Sequence, residues 1–188
     1  MRVSKEKSAE HRAAIVEAAG RLFREKGVDG VGVAEITRAA GLTHGGFYGH
    51  FASKDALAAE ACADSFQTKI QALDAASDLA AFIDQYLSET HVKRRDIGCP
   101  MPAWAGEVAR QDTGMALSFA VGLADYTSQL AGKVPEGAGP RDERALALLS
   151  MLVGAVTLAR AVAESNPDLA NRILAAARGQ AKALAGLD

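Results

Sequence analysis

The chain has 188 residues, enough to bury one good core and a small second one at an end. Its composition, 49% hydrophobic and 23% charged, is ordinary for a globular protein, and abundant alanine without runs of alternating β-branched residues predicts an all-α fold. Residues 1–54 carry nine Lys or Arg against six Asp or Glu, whereas residues 55–188 carry twelve against seventeen. A basic end on an acidic body favours binding of the first segment to a polyanion, although a solvated surface would give the same imbalance.

Three helices are predicted in the first part of the chain, over residues 8–26, 33–40 and 44–50. Gly27 and Gly41 are natural stops for the first two, since glycine readily adopts the positive φ found after a helix end. Thr43 is a good N-cap for the third helix. That helix contains three glycines, each costing about 1 kcal/mol relative to alanine, so we expect Phe47 and Phe51 to anchor it in a core.

The rest of the chain is predicted to form a helical body, with about nine helices in all. Ser53 caps a fourth helix that ends near residue 73, and a fifth helix follows Ser77. A loop is predicted over residues 91–102, and further helices over residues 102–110, 113–130, 142–164 and 167–184. The last of these begins with Pro167 behind Asn166, which is a strong start signal. We therefore divide the chain into residues 1–53 and 54–188.

The cysteines and the apolar segments bear on the class of protein. Cys62 and Cys99 lie far apart without ligand-like neighbours, so we expect no disulfide framework, no metal site and no cofactor, in a reducing cytoplasm. Residues 1–12 lack the apolar core of a signal peptide. The apolar stretch 145–163 is marginal for a membrane span, and a helix buried on two sides inside the protein explains it better.

The run from Gly32 to Leu57 has the mechanics of a helix-turn-helix. Its second helix braces the module, Gly41 permits the sharp turn, and the third helix presents its N-terminal side chains to the major groove of DNA. Groups suited to phosphate lie on the side chains of Tyr48, His50 and Lys54 and on the backbone at Val33 and Thr43.

Over residues 8–60 the sequence closely resembles the TetR (tetracycline-repressor-like) family. The matching positions are Phe23, Gly27, Ile36, Ala40, Gly41, Thr43, Gly46, Tyr48, His50, Phe51, Lys54 and Leu57. The resemblance implies a homodimer with two helix-turn-helix heads and a helical body that binds a small molecule. It further implies a repressor, not an enzyme, that leaves a palindromic DNA operator when the small molecule binds.

The resemblance also implies which residues contact DNA. Base edges would face His44, Gly45, Gly46 and Gly49, phosphates would be contacted by Tyr48, His50 and Lys54, and Thr43 would cap the recognition helix and touch the duplex. The family usually has a hydroxyl residue where this chain has Gly32-Val33, which leaves only the backbone N–H of Val33 for a phosphate. Gly45 and Gly49 replace larger side chains, so His44 is the best candidate for direct base readout. We expect close backbone approach and DNA shape to matter more than bidentate hydrogen bonds.

Some basic and polar residues of this segment have alternative interpretations. His50 could form a hydrogen bond within the head, and Arg38 fits a surface charge near a phosphate better than a base reader. A final group forms either an arm on DNA or a solvated tail: Arg2, Lys5, Lys7 and Arg12.

The last two helices are too apolar for the surface of a monomer. We predict that they pair about a two-fold axis into a four-helix interface, in which Ser150 and Gly154 permit close approach of the helices. A monomer core that absorbs both helices is the alternative. The predicted contacts are Leu148, Met151, Leu152, Gly154, Leu169, Ile173 and Leu174.

A pocket for a small, largely apolar ligand is predicted between the fourth and eighth helices. Its candidate lining is Phe66, Phe82, Tyr86, Met101, Trp104, Met115 and Phe119. Tyr86 and Trp104 are the best candidates because a buried O–H or N–H needs a partner, although ordinary core packing explains any single residue. Cys99 as a redox sensor is a weaker alternative. We expect the fourth helix to transmit ligand binding to the spacing of the heads.

Two other classes of function are weighed against this one. An enzyme would need a nucleophile elbow, a glycine-rich phosphate loop after a strand or a metal-ligand spacing, and the sequence shows none of these. A helical ligand-binding or scaffold protein that has lost DNA binding is favoured only by the sparse, glycine-rich reading face.

Overall fold

The structure, a computed structural model, describes residues 5–137 and 139–187, and for His44 the backbone alone. Within this part of the chain it contains nine α-helices, two short 3-10 helices and no strand, which confirms the all-α prediction. The α-helices are α1 Lys5–Lys26, α2 Val33–Ala39, α3 Lys54–Asp74, α4 Leu79–Tyr86, α5 Glu89–Lys93, α6 Pro100–Trp104, α7 Thr113–Lys133, α8 Arg141–Val162 and α9 Pro167–Ala185. The 3-10 helices are His44–Gly49, which we call the recognition helix, and Val108–Arg110.

The head consists of α1, α2 and the recognition helix: α2 packs against both of the others, and α1 packs against α3 of the body. Gly27 and Gly41 end α1 and α2 with φ angles of 78° and 71°, so both predicted glycine stops are confirmed. After Gly41, the N–H of Leu42 donates to the carbonyl of Thr37 at 2.8 Å, a bond that folds the chain back over the end of α2. This turn sets the angle between α2 and the recognition helix.

The recognition helix differs in two respects from the prediction of a capped α-helix. It is a 3-10 helix, and Thr43 occupies the predicted N-cap position with an extended backbone, but its side chain makes no capping hydrogen bond. Six residues of which half are glycine cannot sustain an α-helix, and the tighter 3-10 form is the usual outcome for so short a segment. The predicted anchors are confirmed: Phe47 and Phe51 are buried and stack with ring centroids 5.6 Å apart.

The body is built on α3 and α7, which lie against each other along their length, and on the pair α8 and α9. The start of α3 is as predicted, with the Ser53 hydroxyl accepting the N–H of Ala56 at 3.0 Å. Gly122 of α7 is required where the two helices meet, since a Cβ there would overlap the ring of Phe66. The start of α9 is also as predicted, because the Asn166 side chain accepts the N–H of Leu169 at 3.1 Å.

The segment from residue 86 to residue 112 is more helical than expected. After α4 ends at Tyr86, Ser88 caps the short helix α5, so the predicted loop over residues 91–102 is wrong at both of its ends. The predicted helix over residues 102–110 is interrupted, because α6 ends at Trp104 and a separate 3-10 helix follows. Local caps and turn residues such as Ser88 and Gly106 decide these short elements, and hydrophobic periodicity does not reveal them.

Helix α8 covers the apolar stretch that is marginal for a membrane span. By length and composition alone it is the one helix among the described residues that could cross a bilayer. In the fold α8 packs against α9 and α7 and, more locally, against α6 and α5. Its buried side chains recur every three or four residues and share one face, so within the protomer the helix is buried on one side and not on two as predicted.

Candidate nucleic-acid interface and body cavity

The recognition helix is anchored by a buried aromatic side chain on one side and is exposed to solvent on the other. Phe47 is fully buried beneath it, whereas Tyr48 is 65% exposed and touches the Phe47 ring only edge-on, with centroids 5.1 Å apart. Most of the Tyr48 side chain is therefore accessible to solvent. Thr43, Gly45 and Gly49 are exposed as well. The element thus exposes several of its residues to solvent, and we call this exposed side its reading face.

Glycines on this face are not demanded by the fold. A Cβ built on Gly45 or on Gly49 meets no atom within 4 Å, and neither residue has a positive φ. The same holds for Gly32, directly before α2. Neither packing nor backbone strain therefore excludes a side chain at these positions.

The charged residues near this face are divided between internal pairs and the exposed surface. Arg12 pairs with Glu60 on α3 through both terminal nitrogens and lies over the Phe51 ring at 4.6 Å, so it fastens α1 to α3 and does not form the predicted arm. Lys26 is paired with Glu35 at 2.6 Å. Lys54 is the first residue of α3 and is half-buried, and the ring of His50 lies edge-on to His11 with centroids 6.4 Å apart.

Other members of the predicted arm and reading face are placed as follows. Lys5 and Lys7 are exposed in the first turn of α1, so this stretch is helical. Arg38 is exposed at the end of α2, as expected of a surface charge. Arg2 and the side chain of His44 lie outside the described part of the chain.

The C-terminal end of α1 is attached to the body by more than α3. Arg24 donates to the Asp96 carbonyl at 3.0 and 2.7 Å and to the Ser65 hydroxyl at 2.5 Å. The indole N–H of Trp104 donates to the Phe23 carbonyl at 3.2 Å. The segment around residues 94–104 is therefore hydrogen-bonded directly to the head. These contacts join distant parts of the sequence, so no local sequence pattern predicts them.

A cavity of about 490 Å³ opens in the body beside this segment. It is lined by residues of α3, α4, α5 and α7 and of the segment 94–99. The lining residues are Lys69, Ala72, Phe82, Gln85, Tyr86, Ser88, Thr90, His91, Arg94, Ile97, Gly98, Cys99 and Tyr126. The volume is in the range of small-molecule sites, which is about 300–1,000 Å³.

His91 links the two walls of the cavity. Its Nδ1 lies 2.7 Å from the Tyr86 carbonyl, and its Nε2 accepts the N–H of Cys99 at 3.0 Å. This pattern assigns the proton to Nδ1 of a neutral imidazole. Burial lowers the pKa of His91 to about 4, and the nearby charges of Arg160 and Lys69 lower it as well. The ring is therefore a neutral structural bridge at physiological pH.

A buried arginine lies behind the same wall. Arg160 is 9% exposed; one terminal nitrogen donates to the His91 carbonyl at 2.9 Å, while its Nε has no partner. Among the described residues it forms no ion pair. Burial is the main cause that lowers the pKa of Arg160, followed by the like charge of Arg95. The charge of this guanidinium is therefore desolvated, and no carboxylate among the described residues compensates for the cost.

The head matches a known family. Residues 15–61 fit the family described as bacterial regulatory proteins, tetR family. The regulator TtgR of Pseudomonas putida is 38% identical over 84 residues, which span 45% of this chain and 40% of TtgR, less than half of that regulator's length. The likeness in sequence to the TetR family therefore lies in the first part of the chain.

Solved structures extend the likeness in fold to the body of the chain. The reduced form of E. coli NemR has a TM-score of 0.77 at 18% identity, covering 92% of this chain and 95% of NemR. Bacillus subtilis FadR in complex with stearoyl-CoA has a TM-score of 0.59 at 14% identity, covering 94% and 98% of the two chains. At these identities the likeness is one of fold alone.

The residues predicted to form the dimer interface separate into two groups. Leu148, Leu152 and Leu174 are buried in the protomer's own core, so the prediction that they contact a partner is wrong. Met151, Gly154 and Ile173 are partly accessible, and Leu169 is exposed. Two further apolar side chains of α8, Leu146 and Leu158, are exposed and do not belong to the predicted set of contacts.

The predicted ligand residues also separate. Phe82 and Tyr86 line the cavity, whereas the other five pack in the core away from it: Phe66, Met101, Trp104, Met115 and Phe119. The indole N–H of Trp104 has a hydrogen-bond partner, as expected, but this partner is the Phe23 carbonyl, so Trp104 lies at the junction of head and body. The cavity's polar residues, Lys69 and His91 above all, were missed because they come from separate helices.

Cys99 is fully buried beside the Tyr86 hydroxyl, which makes no hydrogen bond of normal geometry. Burial raises the pKa of the Cys99 thiol. Because a redox-sensing cysteine needs thiolate character and access to solvent, the structure gives the redox alternative no support.

Proposed function

We propose that this chain is a DNA-binding transcription repressor that acts as a homodimer in the cytoplasm. Residues 1–53 would bind a palindromic operator, and residues 54–188 would form the dimer and hold a small ligand that releases the DNA. The observation that carries the proposal is the exposed, glycine-rich face of the recognition helix, fixed from below by Phe47 and Phe51 within the family-matched segment.

The contacts to DNA follow from this face. Gly45 and Gly49 would let the backbone approach the duplex closely, with Gly46 and His44 at the base edges. Thr43 and Tyr48 are exposed at its margin for phosphate contacts. His50, Lys54 and the backbone N–H of Val33 would complete the phosphate set.

Dimerisation is supported by a stripe of small and apolar residues on α8. Exposed or partly accessible positions recur at helical spacing at Leu146, Ser150, Gly154, Thr157 and Leu158. The two hydroxyls are satisfied within the helix, since Ser150 donates to Leu146 and Thr157 to Val153, each at 2.8 Å. The stripe can therefore be desolvated at little cost, as a helix-helix interface requires.

Ligand response is supported by the cavity and by its connection to the head. The wall segment that contains Ile97 and Gly98 also accepts hydrogen bonds from Arg24 of α1 through the Asp96 carbonyl. A ligand that prefers another arrangement of this segment would change the position of the head, in addition to any effect through α3. The FadR structure, of the same fold, contains a bound stearoyl-CoA.

A gel-shift experiment with the DNA around the chain's own gene tests the proposal. We expect a shift that depends on sequence and weakens steeply with salt, because several phosphates are neutralised per head. Lys54→Ala should weaken the shift, whereas Lys93→Ala, a control at a distant exposed lysine on α5, should not. The absence of any sequence-dependent shift would favour the scaffold alternative.

A further inference from the structure

We propose that the body cavity binds a small organic anion with a flat apolar body, an inference that rests on the ligand response proposed above. Three features of the molecule support it: the charge of the lining, a buried cation behind one wall, and the ring-rich shape of the space.

The lining carries positive charge and no acid. Among the described lining residues Lys69 and Arg94 are cationic, and none is Asp or Glu. Arg94 is already neutralised by Asp96, which accepts from it at two positions, both 3.0 Å. Lys69, in contrast, donates to the neutral carbonyl of Ile97 at 2.5 Å. The ammonium of Lys69 is therefore available to an anion at the cavity.

Arg160 supplies a second uncompensated charge. Its guanidinium lies against Gly98, where a Cβ would stand 2.8 Å from the terminal nitrogen, and it donates to the carbonyl of His91. Both Gly98 and His91 line the cavity. A buried cation without a counter-ion is costly, and an anion on the other side of this thin wall would offset that cost. Gly98 keeps the wall thin because it has no side chain.

The remaining lining suits a planar body. Phe82, Tyr86 and Tyr126 contribute aromatic rings, and Ala72 and Ile97 add apolar surface. Gln85, Ser88 and Thr90 offer hydrogen-bonding groups to the polar edge of a ligand. A carboxylate or similar oxyanion near Lys69, with its ring system between the aromatic side chains, satisfies both parts of the site.

Three probes of matched shape and different charge test the inference: 2-naphthoate, 2-naphthamide and 2-naphthylmethylamine. With the full chain in titration calorimetry, we expect naphthoate to bind at least about tenfold more tightly than the amide, and the amine to bind most weakly; tenfold corresponds to about 1.4 kcal/mol. Lys69→Met should abolish the preference for the anion. Lys93→Met, which removes a lysine paired with Glu89 outside the cavity, should retain it.

Arg160→Met gives an independent readout. It should weaken naphthoate binding while leaving the melting temperature unchanged or higher, because removing a buried unpaired charge relieves a cost. An arginine with a purely structural role would instead lower the melting temperature and leave the charge preference intact. If this variant does not fold, Lys69→Met, at a partly exposed position, still decides the matter.

Several results would overturn the inference: equal binding of naphthoate and the amide, a preference for the amine, no naphthoate binding in the millimolar range, or an anion preference that survives Lys69→Met. A gel shift by the ligand-free protein separates these failures from failure of the proposed function. If DNA is bound and the charge preference is absent, only the ligand class is wrong.

Discussion

Replacing Gly45 or Gly49 by alanine separates a reading face from an ordinary surface turn. In the free protein the new methyl group meets no atom within 4 Å, and the backbone does not need the positive φ that alanine avoids. In the proposed complex the same methyl group would stand between the recognition helix and the duplex. The substitutions should therefore affect stability and DNA affinity in opposite directions.

The expected magnitudes follow from the loss of glycine's freedom in the unfolded chain. An unstrained Gly→Ala change stabilises by about 0.4–1 kcal/mol, which for a protein of this size raises the melting temperature by about 1–4 °C. A methyl group that displaces the backbone from a base edge should cost about 1–3 kcal/mol per head, as a mismatched base pair does. The affinity for DNA should then fall by at least about tenfold.

Gly132 provides the matched control. It lies exposed near the end of α7, a Cβ added there would meet no atom within 4 Å, and it is remote from the head. Gly132→Ala should raise the melting temperature similarly and leave DNA binding unchanged. Thermal melts and fluorescence-anisotropy titrations of a labelled duplex at fixed salt measure both quantities.

The reasoning would be refuted if Gly45→Ala and Gly49→Ala bound the duplex as tightly as the parent protein. It would also be refuted if they melted at markedly lower temperature, because an internal packing role would then explain the glycines.

Three further predictions concern the head, the cavity wall and the dimer. Lys54→Ala should lower the affinity for all DNA sequences by a similar factor and reduce the salt dependence of binding, whereas His44→Ala should change the base preference in a binding selection. The reverse pattern would show that His44 contacts phosphate and Lys54 reads bases. Burial lowers the pKa of His91 to about 4 from its ordinary 6.5. The contribution of neutral His91 to the free energy of unfolding should therefore be fully present above pH 6.5, and the free energy of unfolding should fall by about 3 kcal/mol as the pH is lowered to 4. Denaturant titrations of His91→Gln should lack this decrease, and an identical pH dependence in the variant would contradict the prediction. Leu158→Glu should dissociate the dimer in sedimentation experiments while Leu117→Glu, at an equally exposed site on α7, should not, and a dimer that tolerates the first change would not use this stripe.

Features carried by one short segment were predictable from the sequence. The glycine stops at Gly27 and Gly41 and the caps at Ser53 and Asn166 each depend on one residue's conformation or side chain, and the structure confirms them. The burial of Phe47 could be inferred because a helix with so many glycines has no other source of stability. The same glycines also favoured the 3-10 form, which the sequence analysis did not anticipate.

Features that join distant segments were not predictable. Helix α8 is apolar on more than one face, so periodicity alone could not show that Leu148 and Leu152 face inward while Leu146 and Leu158 face outward. The cavity lies between helices that are adjacent only in the fold. One residue of the apolar stretch 145–163 carried a relevant signal: Arg160 is its only charged residue, and a charge is costly to bury.

Selection of binding sites from random duplexes, followed by footprinting of the enriched sequence, tests the central claim most directly. The account predicts a palindrome with two half-sites whose centres lie one helical turn apart, about 10–10.5 base pairs, or a multiple of it, each protected in the major groove. Enrichment of no sequence, or protection of a single half-site by a monomer, would contradict it.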